Sequence, residues 1–212
     1  EIKNLNFLKN KDVKKYLLTA NMETAINIFW DSQSQKKDNI LVVGLGSVGF
    51  LTAYFFKLRG FKNIKVTDIN LNKKKIAKIL GLQFVNFNNT KNIDCVINTT
   101  SSYEILNRSL TKLNLDGRIV EASWYGSKAG KIYLGNEFHS KRIKIISSQV
   151  SNIPLHMKGR YNYKSRLKIA IDALSNSKIM ILINSFSKFS TLDKEYISIL
   201  KDQNIIMHSV EY

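Results

Sequence analysis

Apolar and polar positions alternate between two rhythms along this chain. Ile40-Leu41-Val42-Val43 is a continuous apolar run ending at a glycine, the pattern of a strand buried on both faces. Val48, Leu51, Phe55 and Leu58 then recur at spacings of three and four, so a helix follows. The unit repeats as a strand at 64–68, a helix through Ile76, Ile79 and Leu80, and a short strand around Phe84-Val85. Cys95-Val96-Ile97 is the next apolar strand, Leu106, Leu110 and Leu113 mark a helix face, and strands at 117–122 and 143–146 close the series. Strands alternating with amphipathic helices predict an α/β fold, a doubly wound parallel sheet with right-handed crossovers and helices on both faces. The flanks are helical: one helix from Met22 to Trp30, a second through Leu167, Ala170, Ile171 and Leu174, and a third through Leu192, Tyr196, Ile199 and Leu200, before a strand-like end at 205–210. The expected division is a lead-in over 1–38, a sheet domain over 39–150, and C-terminal helices and a strand over 151–212 that pack on it rather than form a second core.

Composition narrows the class without naming a function. The 212 residues are 44% hydrophobic and 23% charged, and no apolar run approaches the ~20 residues that span a bilayer. Neither a membrane partner nor a leader peptide is expected, since Glu1-Ile2-Lys3-Asn4 lacks a basic region followed by an apolar stretch. One cysteine, Cys95, excludes an internal disulfide framework and points to a reducing compartment, with the cytoplasm as the expected location. Thirty-three Lys and Arg against 16 Asp and Glu leave +17, a balance that raises nucleic acid as a partner. The basic residues are scattered, however, and the longest lysine run is Lys73-Lys74-Lys75. A general bias toward Lys, Asn and Ile accounts for the charge, and no nucleic-acid partner is expected.

Gly44-Leu45-Gly46-Ser47-Val48-Gly49 has the G-x-G-x-x-G spacing between an apolar strand and an amphipathic helix. Gly44 would permit the tight turn, Gly46 would let a pyrophosphate approach the backbone, and Gly49 would let the helix pack close to the sheet. The helix start then offers unpaired N–H groups and partial positive charge to phosphates. Asp68 lies 19 residues beyond Gly49, near the ~20-residue offset of an acid that binds ribose hydroxyls. Both features also have structural readings, a strand-to-helix turn and a helix-capping Asp. Together they predict a dinucleotide-binding Rossmann fold, with Ile69 beside the acid in the site. A carboxylate accepts from a free 2′-OH and repels a 2′-phosphate, which favours NAD over NADP. Lys73, Lys74 and Lys75 are either a solvated helix face or a partner for that phosphate.

The runs from Val42 to Gly49, Asp68-Ile69-Asn70, Asp94-Cys95-Val96-Ile97-Asn98-Thr99 and Asp116-Gly117-Arg118-Ile119-Val120 resemble the coenzyme domain of medium-chain dehydrogenases/reductases, the zinc-type alcohol dehydrogenase superfamily. Ala20-Asn21-Met22-Glu23-Thr24-Ala25, Glu121-Ala122-Ser123-Trp124-Tyr125-Gly126 and Phe138-His139-Ser140-Lys141-Arg142 with Ser147-Ser148-Gln149-Val150 resemble a bacterial subgroup near the bacteriochlorophyllide-type dehydrogenases. The resemblance implies hydride transfer between a nicotinamide and an alcohol or carbonyl substrate, and a homodimer formed through the edge strand at 143–146. It places Thr99, Thr100 and Ser123 at the coenzyme's ribose and nicotinamide, and Thr24 either near the nicotinamide or as an ordinary helix residue. The family's N-terminal GroES-like domain, which supplies its zinc ligands, has no counterpart here, so 1–38 reads as a lead-in that would join such a domain. Cys95 falls inside a strand, and His139, His156 and His208 lack metal-ligand spacing, so no catalytic zinc is expected. His139, Tyr125 and Glu121, expected at the carboxyl side of strands, are the candidates for exchanging the substrate's proton. The alternative is a nucleotide-binding module without catalysis, or a truncated relic.

Overall fold

A computed structural model describes residues 13–212; the first twelve residues of the expected lead-in lie outside the described part. After a 3-10 turn at Val13–Leu18, α1 runs from Thr19–Ser32 and buries Met22, Ala25, Ile26, Ile28 and Trp30. It ends at Gln33 in the left-handed region, whose N–H bonds back to the Trp30 carbonyl, the ordinary way to stop a helix and free the chain for a new direction. The alternation of strand and helix follows, with the short α5 an addition to the elements expected: β1 Ile40–Val43, α2 Ser47–Leu58, β2 Ile64–Thr67, α3 Lys73–Ile79, β3 Gln83–Phe84, β4 Ile93–Asn98, α4 Tyr103–Leu110, β5 Leu113–Glu121, α5 Glu137–Ser140 and β6 Lys144–Ser147.

The six strands are parallel in the order β3-β2-β1-β4-β5-β6, the arrangement in which two halves run outward from a central crevice between β1 and β4. The doubly wound parallel sheet expected from the sequence is present. Its two faces carry two cores. One joins Ile40, Val42, Cys95, Ile97 and Val120 to α1 and α2, where Phe29, Phe55, Phe56 and Phe61 meet edge to face. The other joins Leu41, Val43, Val96 and Ile119 to Leu106 and Leu110 of α4. Side chains alternate across each strand, so every residue of β1 is buried although its neighbours face opposite layers.

Leu113 departs from the expected helix face. It opens β5, opposite Ile93, and a register shift then brings Arg118 opposite Cys95. Asp116 in the left-handed region (φ 57°) and Gly117 carry the chain through the irregularity. The leucine still fills the α4-side core beside Leu110, which is why its spacing resembles a helix.

The C-terminal segment comprises α6 Tyr163–Ala173, a 3-10 turn at Ser177–Leu182, β7 Ile183–Lys188, α7 Leu192–Lys201 and β8 Met207–Glu211. Ile153, Ala170, Leu174, Ile179, Leu182 and Ile206 join the core on the α1 side. Buried Arg166 fastens α6 to α1 through Glu23 at 3.1 Å and Asn27 at 2.9 Å. β7 and β8 pair as a separate two-stranded parallel sheet; β7 has no counterpart in the sequence expectation. No helix of the described residues is long and apolar enough to cross a membrane.

Candidate functional site

β1, β2, β4 and β5 all end at one edge of the sheet, because parallel pairing aligns Val43 with Thr67 and Asn98, and Asn98 with Glu121. Gly44 leaves β1 there with φ +92°, a conformation that favours glycine. A Cβ at Gly44 would lie 2.7 Å from the Thr99 hydroxyl, and one at Gly49 would lie 1.9 Å from the Gly44 carbonyl oxygen. These two glycines let the turn and helix close on one another. Gly46 is the opposite case: a Cβ there meets nothing within 4 Å, so the backbone is open to an outside group. The first helical bond of α2 runs from Phe50 N–H to the Gly46 carbonyl at 3.0 Å, and the amides ahead of it have no helical partner. The turn therefore forms a cradle suited to a phosphate.

Asp68 is brought onto this turn. Its Oδ2 accepts from Leu45 N–H at 2.6 Å and from Lys73 Nζ at 3.1 Å, and its Oδ1 accepts from Asn70 N–H at 2.8 Å. The carboxylate thus stabilises the glycine turn, closes its own loop and holds a lysine. Beside it Ile69 is 87% exposed, an apolar side chain available to a flat aromatic ring. The side chains of Asn70 and Asn72 bond the Gln203 carbonyl and Asn204 Oδ1, so the loop after β2 is clamped by the turn that precedes β8.

The β4 end is bound inward. Thr99 Oγ1 donates to the Gly44 carbonyl at 2.8 Å, with the Val43 carbonyl at 3.1 Å. Thr100 Oγ1 donates to Asn98 Oδ1 at 2.7 Å. Ser47 Oγ accepts from Asn21 of α1 at 3.2 Å, and Thr24, one turn further along the same helix, donates its hydroxyl to the Ala20 carbonyl at 3.2 Å. Val48 packs against the α1-side core. Ser123 follows β5, half-buried.

Glu121 and Tyr125 meet at the β5 end. The Tyr125 hydroxyl donates to Glu121 Oε2 and accepts from Asn98 Nδ2 at 3.3 Å, while the Tyr103 ring lies 4.5 Å from that of Tyr125. Glu121 Oε1 is buried with no hydrogen-bond partner among the described residues. Burial raises the Glu121 pKa above its ordinary value, opposed by the Tyr125 hydroxyl and by the Asn98 amide. Burial first, then the adjacent carboxylate, raises that of Tyr125. The pair therefore favours a protonated phenol beside a carboxyl that gives up its proton reluctantly.

His139 is not brought to this site. It lies on α5, and Lys141 just beyond bonds Asp116 and the Leu113 carbonyl at the start of β5, so this exposed histidine sits at the amino edge of the sheet. The expectation that it stands on the carboxyl side is corrected: the loop after β5 returns along the whole strand before α5 forms. Cys95 is buried in β4, its thiol pushed up to about 11 chiefly by desolvation, and is a packing residue. Among the described residues, no group of three His, Cys, Asp or Glu converges on a point suited to a metal ion. A cavity of about 550 Å³ lined by Asn88, Arg108, Lys112 and Tyr133 lies on the outer side of α4, away from the glycine turn. Sequence reasoning missed Asn98 and the burial of Lys73; neither has a spacing signal, because each acts through tertiary contact.

No protein-family model and no curated protein matches the sequence. Solved structures do match the fold. A short-chain alcohol dehydrogenase from E. coli CFT073 complexed with NADH is 18% identical with a TM-score of 0.81, covering 98% of this chain and 62% of its own. L-idonate 5-dehydrogenase from Escherichia coli K-12 MG1655 is 14% identical with a TM-score of 0.79, over 98% and 60%. A Sinorhizobium meliloti 1021 protein bound to NADP is 13% identical with a TM-score of 0.75, over 91% and 57%. This chain thus spans about three fifths of the length of these structures. With its strand order and glycine turn, the chain has a Rossmann fold similar to part of these dehydrogenase structures.

Proposed function

We propose that this chain binds a nicotinamide dinucleotide and presents it for hydride transfer between the nicotinamide and an alcohol or carbonyl substrate. The observation that carries this reading is the glycine turn: closed at Gly44 and Gly49, open at Gly46, and bonded at Leu45 to the acid that ends the next strand. In this reading the first-turn amides of α2 hold the pyrophosphate, Asp68 faces the adenosine ribose, Ile69 covers the adenine, and Thr99, Thr100, Ser123 and Thr24 border the nicotinamide half. When bound, the coenzyme supplies the hydride donor or acceptor. The chain's own contribution to the chemistry is proton exchange, for which Tyr125 and Glu121 are the candidates at the β5 end. An acid at Asp68 favours NAD, and NADPH binding at least tenfold tighter than NADH would refute the role given to it. The proposal treats 39–150 as the coenzyme-binding unit supported by its flanks, with the protein in the cytoplasm and paired as a homodimer.

The second reading is a nucleotide-binding module without catalysis. It is favoured by the inward bonding of Thr99, Thr100 and Tyr125, which leaves few polar side chains aimed at a substrate. Titration with NADH, followed by NADH oxidation across a panel of aldehydes and ketones, separates the two. Binding with turnover supports the first, saturable binding without turnover the second, and absence of NADH binding defeats both.

A further inference from the structure

We infer that the hollow on the outer side of α4 is a second ligand site, separate from the glycine turn, for a phosphomonoester carried on a planar ring. Its floor is the face of α4 that bears Asn107 and Arg108, one wall is Asn88 and the other is Tyr133 of the loop after β5. Asn88 belongs to a 3-10 turn at Phe87–Asn89 ahead of β4. The volume of about 550 Å³ falls within the roughly 300–1,000 Å³ of small-molecule sites. Both walls are tied to the floor. Asn107 Nδ2 donates to the Lys131 carbonyl at 2.9 Å, and its Oδ1 accepts from Tyr133 N–H at 2.8 Å. On the other side Arg108 Nη2 donates to Asn88 Oδ1, and Lys112 Nζ donates to the Asn88 carbonyl at 3.0 Å.

Two cations are gathered at one end of the hollow. The Arg108 guanidinium and the Lys112 ammonium lie 5.0 and 5.4 Å from the centre of the Phe87 ring, whose negative face attracts each of them although they repel one another. Among the described residues the carboxylate bonded to this pair is Glu104, 3.0 Å from Arg108 Nη1 and with its side chain 74% exposed, and so exposed an ion pair contributes little. Lys112 has further N–H groups beyond the one given to Asn88, and Arg108 has further ones beyond those given to Glu104 and Asn88; these meet no acceptor among the described residues. A ligand that answers both cations carries two negative charges, as a phosphomonoester does at about −1.5 to −2 near neutral pH, and the planar fork of Arg108 matches two of its oxygens. A second hollow of about 260 Å³ shares Asn107, Thr111 and Tyr133 with the first and is lined beyond them by Glu137. Glu137 repels an anion from that end. The phosphate therefore faces Arg108 and Lys112, and the rest of the ligand extends along Tyr133, whose exposed ring is suited to a flat partner.

The test is isothermal titration of the full chain with phenyl phosphate, a probe that has the ring and the dianion but no ribose. The expected wild-type dissociation constant is about 1 mM or tighter. Arg108→Gln and Lys112→Met each weaken binding about tenfold, the loss of one charge-assisted hydrogen bond. Tyr133→Ala weakens phenyl phosphate while leaving inorganic phosphate at its wild-type affinity, and benzoate, with a single charge, binds wild type about tenfold more weakly than phenyl phosphate. Lys74→Met, at an exposed position of α3, and Gly46→Ala, in the glycine turn, leave phenyl phosphate binding unchanged. Phenyl phosphate also slows amide hydrogen exchange over 131–136, the wall that carries Tyr133. Absence of binding by wild type, or binding lost in Gly46→Ala and kept in Lys112→Met, overturns the site. Benzoate as tight as phenyl phosphate, or Tyr133→Ala without effect on phenyl phosphate, overturns the ligand assigned to it. Thermal melts of each variant establish that a weakened affinity comes from a folded protein.

Discussion

Glu121 ends its strand with one carboxylate oxygen bonded by Tyr125 and the other buried without a partner among the described residues. Burial raises its pKa from the ordinary 4.5, so the folded protein holds this proton more tightly than the unfolded chain does. In the window just above 4.5 the folded state binds more protons, and the contribution to stability falls as pH rises, levelling off beyond the folded-state value. Glu121→Gln cannot ionise. Its stability relative to wild type is therefore expected to improve as pH rises through that window, measured as the difference between paired denaturant melts; a difference that is flat or worsens with pH contradicts the assignment. Asp31 shows the same direction of shift, from burial opposed by Ser148, His156 and Asn27, which is why the comparison is made as a difference. Single residues were unevenly legible in the sequence. Asp68 stood at the expected offset from the glycines, whereas Lys73 was one of three adjacent lysines read alike, as a solvated face or a phosphate partner, since only the fold reveals that one of them turns inward onto Asp68.

At the level of elements, the β1–turn–α2 unit separates packing from ligand approach, and two substitutions test that separation. Gly49→Ala drives a Cβ to 1.9 Å from the Gly44 carbonyl, so helix and turn must part. The expected cost is about 1–3 kcal/mol, or roughly 2–12 °C in melting temperature for a domain of this size, with coenzyme binding weakened because the cradle opens. Gly46→Ala meets no atom within 4 Å and is expected to leave stability within about 0.5 kcal/mol, while its methyl group occupies the approach to the backbone and weakens NADH binding tenfold or more. Equal loss of stability in both variants, or NADH binding untouched by Gly46→Ala, would break the distinction. This unit was also the most readable part of the sequence, because a short buried strand, a glycine turn and an amphipathic helix each have a local cause. β5 was less so. Leu113 continues the three-and-four spacing of Leu106 and Leu110 although the chain has already turned into a strand, since burial against α4 is all that the spacing reports.

At the scale of the molecule, the flanking segments complete the core, and sequence periodicity identified the helices within them but not their partners. β7 reads Ile-Asn-Ser-Phe-Ser-Lys and pairs in parallel with β8, Ile183 opposite Met207 and Lys188 opposite Glu211, a non-local pairing that leaves no trace in local pattern. His139 was misplaced for a similar reason, because strand direction rather than residue type decides which edge of the sheet a loop occupies. The opposite edge of the sheet order raises the question of assembly. β6 is a terminal strand, and an unpaired strand edge is a template for a second copy, most simply across a twofold axis. Ser148 N–H bonds the Glu121 carbonyl, so by the alternation of a parallel ladder the N–H of Ser147 points away from β5. Ser147→Pro removes that outward donor at an exposed position without breaking a bond of the sheet. Two copies also carry +17 each, a repulsion that salt screens over about 8 Å at physiological ionic strength. Light scattering during size-exclusion chromatography is therefore expected to give a dimer for wild type at about 0.15 M salt, a shift toward monomer at low salt, and a monomer for Ser147→Pro under both conditions. A wild type that stays monomeric at high protein concentration and at both ionic strengths would show that β6 is a protected edge, and the cause would then lie in its short length and in Lys144, whose charge on the strand opposes a second copy.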